Sequence, residues 1–404
     1  MTTFRVDIPE HIPNQTPLKV DTYSLEVMDR TNITTQDTYC VIGIGFVGSY
    51  LLKALLARGE RRVYALDIRE PTHPLLDGEQ FEFRRVDTTN REELEKAMSS
   101  ICEKTRIHSV FLTAGIIEPN QRLSFQYPKF YDVNVRGTQN VIEVCEMLGI
   151  ARLIYTSSST VVIGQDMVDS ITNEEDGVTQ YPINHYSATK ILGEKIVLEV
   201  NTKRESSMEK SENNSLISTA CIRPGAIFGV GDRFIVDSFC KKMADGETKV
   251  LQGGANYISE FVYIENVVHA HLLLDCYLRD EPWRFRGETF FITNCERLTN
   301  REFAHRMVNA SPFPDVEFQF LPVWILWMVA YFSEFVQWIL RSKISLGELD
   351  VLTPATMHLL CHNYNVSCEK ARVWLDYHPA YNITDGLKRS FELYQKFSTK
   401  PPNS

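Results

Sequence analysis

The sequence has no Cys-x-x-Cys pair, no excess of positive charge, no internal repeat and no apolar leader-like stretch near its start. Each absence argues against a class of function. The nine cysteines are scattered at irregular spacings, which disfavours a zinc framework or a disulfide scaffold and reads as a set of reduced thiols in a cytosol-facing protein. Asp and Glu number 52 against 42 Lys and Arg, a formal net charge of −10, so the basic face of a nucleic-acid binder is not expected. Small molecules are the expected partners. Met1 to about Gln36 is polar and rich in turn formers, and without an apolar core flanked by basic residues it does not read as a signal peptide. His358, Cys361, His362 and Cys368 come nearest to a metal-ligand cluster, but the apolar residues around them fit a packed helix followed by a strand. No metal is expected.

What is present is a regular alternation. From about Thr38, short apolar runs at Tyr39 to Gly43, Arg62 to Asp67, Phe81 to Asp87, Ser109 to Thr113, Arg152 to Ser157 and Ile217 to Arg223 predict strands. Amphipathic stretches at Phe46 to Ala57, Arg91 to Lys104, Tyr131 to Leu148 and Tyr186 to Glu199 predict helices between them. This is an α/β pattern, a doubly wound parallel sheet of the Rossmann kind covered on both faces. Residues 1–36 read as a polar extension, 37–230 as the dinucleotide-binding domain, and 231–397 as a smaller substrate-binding region interleaved with the last sheet elements. Asn201 to Ser215 is polar and reads as a solvated loop insertion. Leu321 to Leu340 carries three tryptophans in a nearly continuous apolar run followed by Arg341 and Lys343. It fits either a buried helix roofing the substrate site or membrane contact, and Glu334 and Gln337 favour a monotopic anchor over a full span.

Two local constellations carry chemistry. Gly43-Ile44-Gly45-Phe46-Val47-Gly48 follows a predicted strand and opens a predicted helix, where glycines allow backbone to approach a pyrophosphate at a helix N-terminus. Asp67 ends the next strand, where a carboxylate accepts from the adenosine ribose and repels a 2′-phosphate. That favours NAD(H) over NADP(H), with Arg69 nearby as a counter-argument. Asp87 is placed to reach the adenine edge, or alternatively to cap the helix from Arg91. Thr113-Ala114-Gly115 supplies small residues where a chain passes close to a cofactor. The second constellation is Tyr186 with Lys190, i and i+4 on one helix face, so an ammonium lies beside a phenol and favours its ionised form. Upstream, Thr156-Ser157-Ser158-Ser159-Thr160-Val161 places hydroxyls at a strand's carboxyl end, where ligands bind in such sheets.

Together with Asn134-Val-Arg-Gly-Thr-Gln-Asn-Val141, Arg223-Pro-Gly-Ala-Ile-Phe-Gly229 and Glu260-Phe-Val-Tyr-Ile-Glu-Asn-Val-Val-His-Ala-His271, these residues resemble the extended short-chain dehydrogenase/reductase superfamily. Within it they are similar to the 3β-hydroxysteroid dehydrogenase group that includes sterol-4α-carboxylate 3-dehydrogenases. The resemblance runs from about Thr38 to Phe397. It implies Tyr186 as acid/base, Lys190 as the group that lowers the phenol's pKa and holds the nicotinamide ribose, and Ser158 as the orienter of the substrate oxygen, with Ser159 as the alternative. It further implies NAD bound by Gly43, Gly45, Phe46, Val47, Gly48, Asp67, Asp87, Ala114, Tyr186, Lys190 and Pro224. One departure is Ile42, where extended members usually have the first glycine of Gly-x-x-Gly-x-x-Gly.

The expected activity is NAD-dependent oxidation of a 3β-hydroxyl on a sterol or triterpenoid, followed by loss of CO2 if a 4-carboxylate is present. The alternatives are a 3β-hydroxysteroid dehydrogenase with Δ5-4 isomerase activity, a sugar-nucleotide epimerase or flavonol-type reductase, and a non-catalytic NAD(H)-sensing protein. The expected place is the cytosolic side of the endoplasmic reticulum membrane, contacted through residues 321–340, with a homodimer left open.

Overall fold

The structure, a computed structural model, describes residues 31–118, 122–164, 171–206, 217–313, 316–341 and 350–398. Seven strands form the central sheet: β1 (Tyr39–Ile42), β2 (Val63–Asp67), β3 (Glu82–Arg85), β4 (Ser109–Leu112), β5 (Arg152–Thr156), β6 (Ser218–Pro224) and β7 (Thr289–Ile292). All neighbours run parallel, in the spatial order β7-β6-β5-β4-β1-β2-β3. Parallel neighbours need crossovers, and these are helices: α1 (Phe46–Ala57), α2 (Arg91–Cys102), α3 (Gly137–Met147), α4 (His185–Ser206) and α5 (Ile264–Asp280).

Apolar side chains on both faces of a strand require cover on both sides. Tyr39, Val41, Phe111, Ile154 and Ile222 point into one core with Leu51 and Leu55 of α1 and Val267 and Leu274 of α5. Cys40, Ile42, Val110, Leu112, Leu153 and Tyr155 point into the other, with Leu94 of α2, Val141 of α3 and Val197 of α4. The chain leaves β1 toward β2 and β3, then returns to pair β4 with the other side of β1. Their carboxyl ends therefore diverge into a crevice, the position at which such sheets bind ligands.

Three expectations need correction. The sequence reading contained no strand at Thr289–Ile292, which lies in the irregular stretch after Pro224; it pairs with β6 over Cys221 to Pro224. Asn201 to Ser206 of the expected loop are helical instead, because α4 continues to Ser206. The Asn201 amide is buried and donates to Thr219 Oγ1 at 2.6 Å, tying the helix to β6; residues 207–215 of that expected loop lie outside the described residues. Finally, the cysteines are not all free thiols. Cys295 and Cys368 are joined as a disulfide with their Cα atoms 6.5 Å apart, across 73 residues of sequence.

Beyond the sheet, α6 (Val323–Leu340) packs on α7 (Pro354–Leu360), and α8 (Ile383–Ser398) is the last of the described helices. The buried stripe of α6 is narrow: Leu326, Ala330, Ser333 and Gln337. Leu326 and Ala330 meet Met357 and Cys361. Its other face carries Trp324 (64 % exposed), Met328 (62 %), Phe332 (64 %), Phe335 (54 %) and Trp338 (61 %). The usual polarity of a surface helix is inverted, with serine and glutamine inside and aromatics outside.

Candidate active site

The glycine loop bridges β1 and α1 at the crevice. Gly43 has φ 95, and a Cβ there would lie 2.3 Å from the Ala114 backbone N. A Cβ at Gly48 would lie 1.9 Å from the Gly43 carbonyl oxygen. These two positions admit only glycine. Gly45, by contrast, is exposed and has no neighbour within 4 Å of its added Cβ. Phe46 and Val47 open α1, which has no acidic side chain in its first turn to oppose an anion at its N-terminus.

Asp67, at the end of β2, accepts from the Ile44 N–H at 2.6 Å and from the Arg69 N–H at 3.0 Å. Its carboxylate is thus fixed beside the glycine loop, one oxygen facing each bond. Asp87 is exposed, and its Oδ1 accepts from the N–H and hydroxyl of Thr89. It does not cap α2; Asn90 does, accepting from Glu93 N–H at 3.2 Å. Pro224 is the buried last residue of β6.

The second constellation sits at the carboxyl ends of β4 and β5. Tyr186 is 7 % exposed. Burial pushes its phenol up to about 12, and a side-chain hydrogen bond with Ser158 pulls the other way. It is Ser158, not Ser159, whose hydroxyl acts on the phenol; Thr160 donates to the same Ser158 oxygen from its hydroxyl at 2.9 Å. Lys190 is 3 % exposed. Its ammonium donates to the Thr156 carbonyl at 2.7 Å and to the Tyr155 hydroxyl at 3.3 Å, and lies 4.5 Å from the Tyr155 ring centroid. Burial brings it down to about 8. In this arrangement the phenol's shift is governed by burial and Ser158, while Lys190 is held against β5 by neutral oxygens.

Several supporting residues had no individual signal in the sequence. Asn134 lies in a π-helical turn between Asp132 and Arg136, a distortion that recurs at functional sites. Its amide accepts from Ile116 N–H at 2.8 Å and donates to Thr189 Oγ1 at 3.0 Å, joining the segment after β4 to α4 between Tyr186 and Lys190. Glu194, one turn beyond Lys190, is engaged in a two-pronged buried pair with Arg223 at 2.5 and 3.0 Å. His271, pushed down to about 4 by burial, pairs with Thr156 Oγ1 at 2.8 Å beneath the lysine's anchor. Asn134, Arg223 and His271 belong to motifs quoted for the resemblance, yet their partners are 55, 29 and 115 residues away.

Around the metal-like cluster, the His358 and His362 rings stack at 5.0 Å, Cys361 is buried against Leu326 and Met357, and Cys368 is bonded to Cys295. Among the described residues no group of three or more His, Cys, Asp or Glu is arranged to hold a metal.

Comparison with known proteins identifies the fold and the family. Solved structures share the fold: DesIV, a dTDP-glucose 4,6-dehydratase from Streptomyces venezuelae with NAD and TYD bound, superposes with a TM-score of 0.65 at 18% identity, covering 89% of this chain and 97% of that one. The human sterol-4-alpha-carboxylate 3-dehydrogenase, decarboxylating, is 30% identical over 355 residues, 87% of each chain. The 3beta-hydroxysteroid-dehydrogenase/decarboxylase isoform 2 of Arabidopsis thaliana is 29% identical over 379 residues; the match takes in 89% of this chain but only 63% of that protein. The model of the 3-beta hydroxysteroid dehydrogenase/isomerase family matches residues 40–322, from the first strand of the sheet to the start of α6. This chain belongs to that family.

Proposed function

We propose that this chain oxidises the 3β-hydroxyl of a sterol or triterpenoid bearing a 4-carboxylate, with NAD as cofactor. The observation that carries the reading is the convergence of three buried side chains, Ser158 just after β5 and Tyr186 and Lys190 one turn apart on α4, with Lys190 anchored on the Thr156 carbonyl at the end of β5. The residues at the glycine loop fit a dinucleotide: Gly43 and Gly48 keep the turn tight, Gly45 leaves open space before the N-terminus of α1, and the Asp67 carboxylate retains lone pairs for ribose hydroxyls. Phe46, Val47, Asp87, Ala114 and Pro224 are assigned to the walls of the same site. NAD, when bound, supplies the hydride acceptor.

Ser158 orients the substrate oxygen, and Tyr186 takes the hydroxyl proton as the carbon is oxidised. Lys190 is assigned to hold the ribose and, as a cation one turn along the helix, to favour the phenolate, a role that the burial of the phenol opposes. A 3-ketone next to a 4-carboxylate is a β-keto acid, which loses CO2 without further catalytic groups. Residues 231–397 are read as the substrate-binding region, to which β7 is the returning sheet element. α6 is the one helix among the described residues that is long and apolar enough to cross a membrane, with 22% of it buried. Its outward aromatic stripe and single inward-facing carboxylate support a helix lying in the interface of the endoplasmic reticulum membrane, where an apolar substrate enters.

Incubation with NAD and a panel of 4-carboxysterols and 3β-hydroxysteroids, with mass spectrometry of products, tests the reading; a 3-ketone lacking the carboxylate is expected. The family's description also covers isomerases, which favours a second reading as a Δ5-4 isomerase, and a conjugated enone as the product would select it.

A further inference from the structure

Glu334 is the only charged side chain of α6, and the structure turns it inward. It meets Arg122 in a two-pronged pair, Nε to Oε1 at 2.5 Å and Nη2 to Oε2 at 3.0 Å. Both side chains are largely covered, at 29 and 15 % exposure. The pair borders a cavity of about 440 Å3 that is also lined by Asn184 and by His185 and Ala188 of α4, the helix that carries Tyr186. His185 fixes this closeness: its Nε2 pairs with the carbonyl of Leu123, next to Arg122, at 2.8 Å. A guanidinium fork engaged by a carboxylate therefore stands beside the catalytic tyrosine's helix, at the seam with the aromatic helix.

α6 is also held by contacts other than this pair. Leu326 and Ala330 already pack on α7, and the Gln337 amide donates to the Asp350 carbonyl at 3.3 Å. What the fork does supply is a planar set of donors shaped for one carboxylate, any carboxylate of the same geometry being able to replace another. On the reading proposed above, the substrate bears its carboxylate on the carbon adjacent to the one oxidised, so that group must lie close to the Tyr186 hydroxyl. A desolvated anion there needs a cationic partner. Lys190 is committed to Thr156 and Tyr155, and the guanidinium on the cavity wall is Arg122.

We propose that Arg122 binds the substrate's carboxylate and that Glu334 holds its place until the substrate displaces it. This rests on the reading of the substrate as a 4-carboxysterol. It makes Arg122 the residue that separates acidic from neutral sterols, and Glu334 an internal competitor carried on the membrane-facing helix.

The test compares wild type, Arg122→Gln, Arg122→Lys and Glu334→Gln, each full length in lipid nanodiscs. Two readouts are taken with a 4-carboxysterol and the same sterol without the carboxylate: equilibrium binding and kcat/KM. Arg122→Gln is expected to lower the acid-to-neutral ratio roughly ten- to a hundredfold, the loss of a charge-assisted hydrogen-bonded pair. Arg122→Lys should fall between, keeping charge but losing the fork. Glu334→Gln should move the ratio the other way, because the competitor is gone, and this variant carries the test should the Arg122 variants fail to fold. If the pair merely latches α6, all variants harm both sterols alike, and the proposal is overturned. A wild type that binds acid no tighter than neutral sterol overturns it too, even with both oxidised. Selective binding of the acid without oxidation of either would instead overturn the proposed reaction and leave Arg122 in its role.

Discussion

The two ends of the central sheet bury charge in opposite ways. At the amino end, Arg152 lies between two carboxylates, Asp275 at 2.8 Å and Asp37 at 2.6 Å, and Ser109 donates to the same Asp275 oxygen at 2.6 Å. These carboxylates hold the guanidinium well above its ordinary range, against the burial that opposes them. At the carboxyl end, Lys190 has only neutral oxygens, and the nearby Glu194 is spent on Arg223. Its pKa falls to about 8. A buried cation matched by carboxylates is locked in one protonation state and clamps strands; one matched by carbonyl and phenol oxygens has its pKa brought down toward neutrality.

The largest effect expected at either end is on Tyr186. Tyr186→Phe should lower kcat by about 10²- to 10⁴-fold while NAD affinity and melting temperature stay near wild type, since only the hydroxyl proposed to transfer the proton is removed. Steady-state kinetics with calorimetric NAD titration checks this, and substantial residual turnover would falsify the role. At the amino end, Asp275→Ala leaves Arg152 only partly compensated and should cost about 3–5 kcal/mol of stability. Denaturant unfolding measures it; a variant that stays folded yet loses turnover would erase the contrast between the two ends.

Lys190 sharpens the comparison through pH. Its pKa in the folded chain, about 8, lies below the ordinary 10.5, so between those values the unfolded chain binds more protons. Stability should therefore rise with pH across that window, the burial penalty being full below about 8. Lys190→Met should lack this rise and exceed wild-type stability at neutral pH, while losing turnover and NAD affinity. Unfolding curves at a series of pH values decide it; parallel profiles for the two proteins would sink the idea. The smallest effect is expected at Asp67. Asp67→Ala should erode the preference for NAD over NADP by about tenfold, through loss of ribose hydrogen bonds and of repulsion toward a 2′-phosphate. A wild type that already prefers NADP would give that site to Arg69.

Much of the sheet was legible because its signals are local. Six of seven strands and the span of α1 follow from apolar runs and a glycine-opened helix, and Tyr186 and Lys190 lie one turn apart on any helix that contains them. β7 was missed because four residues, Thr-Phe-Phe-Ile, carry no periodicity that separates strand from buried coil. The extension of α4 past Asn201 was missed because that polar residue is satisfied by Thr219, seen only when β6 lies alongside.

The sequence by itself therefore determined the periodic elements, the glycine loop and the spacing of the proposed proton-transfer pair, all of which depend on residues within a turn or two of one another. Tertiary structure alone decided that Ser158 rather than Ser159 meets Tyr186, that Lys190 is anchored on Thr156, and that Cys295 joins Cys368. It also decided that Glu334, set in an apolar run, faces Arg122 at a separation of 212 residues. Contacts of that kind form when packed surfaces bring distant segments within a few ångströms, and neither partner's neighbours in sequence carry a trace of the other.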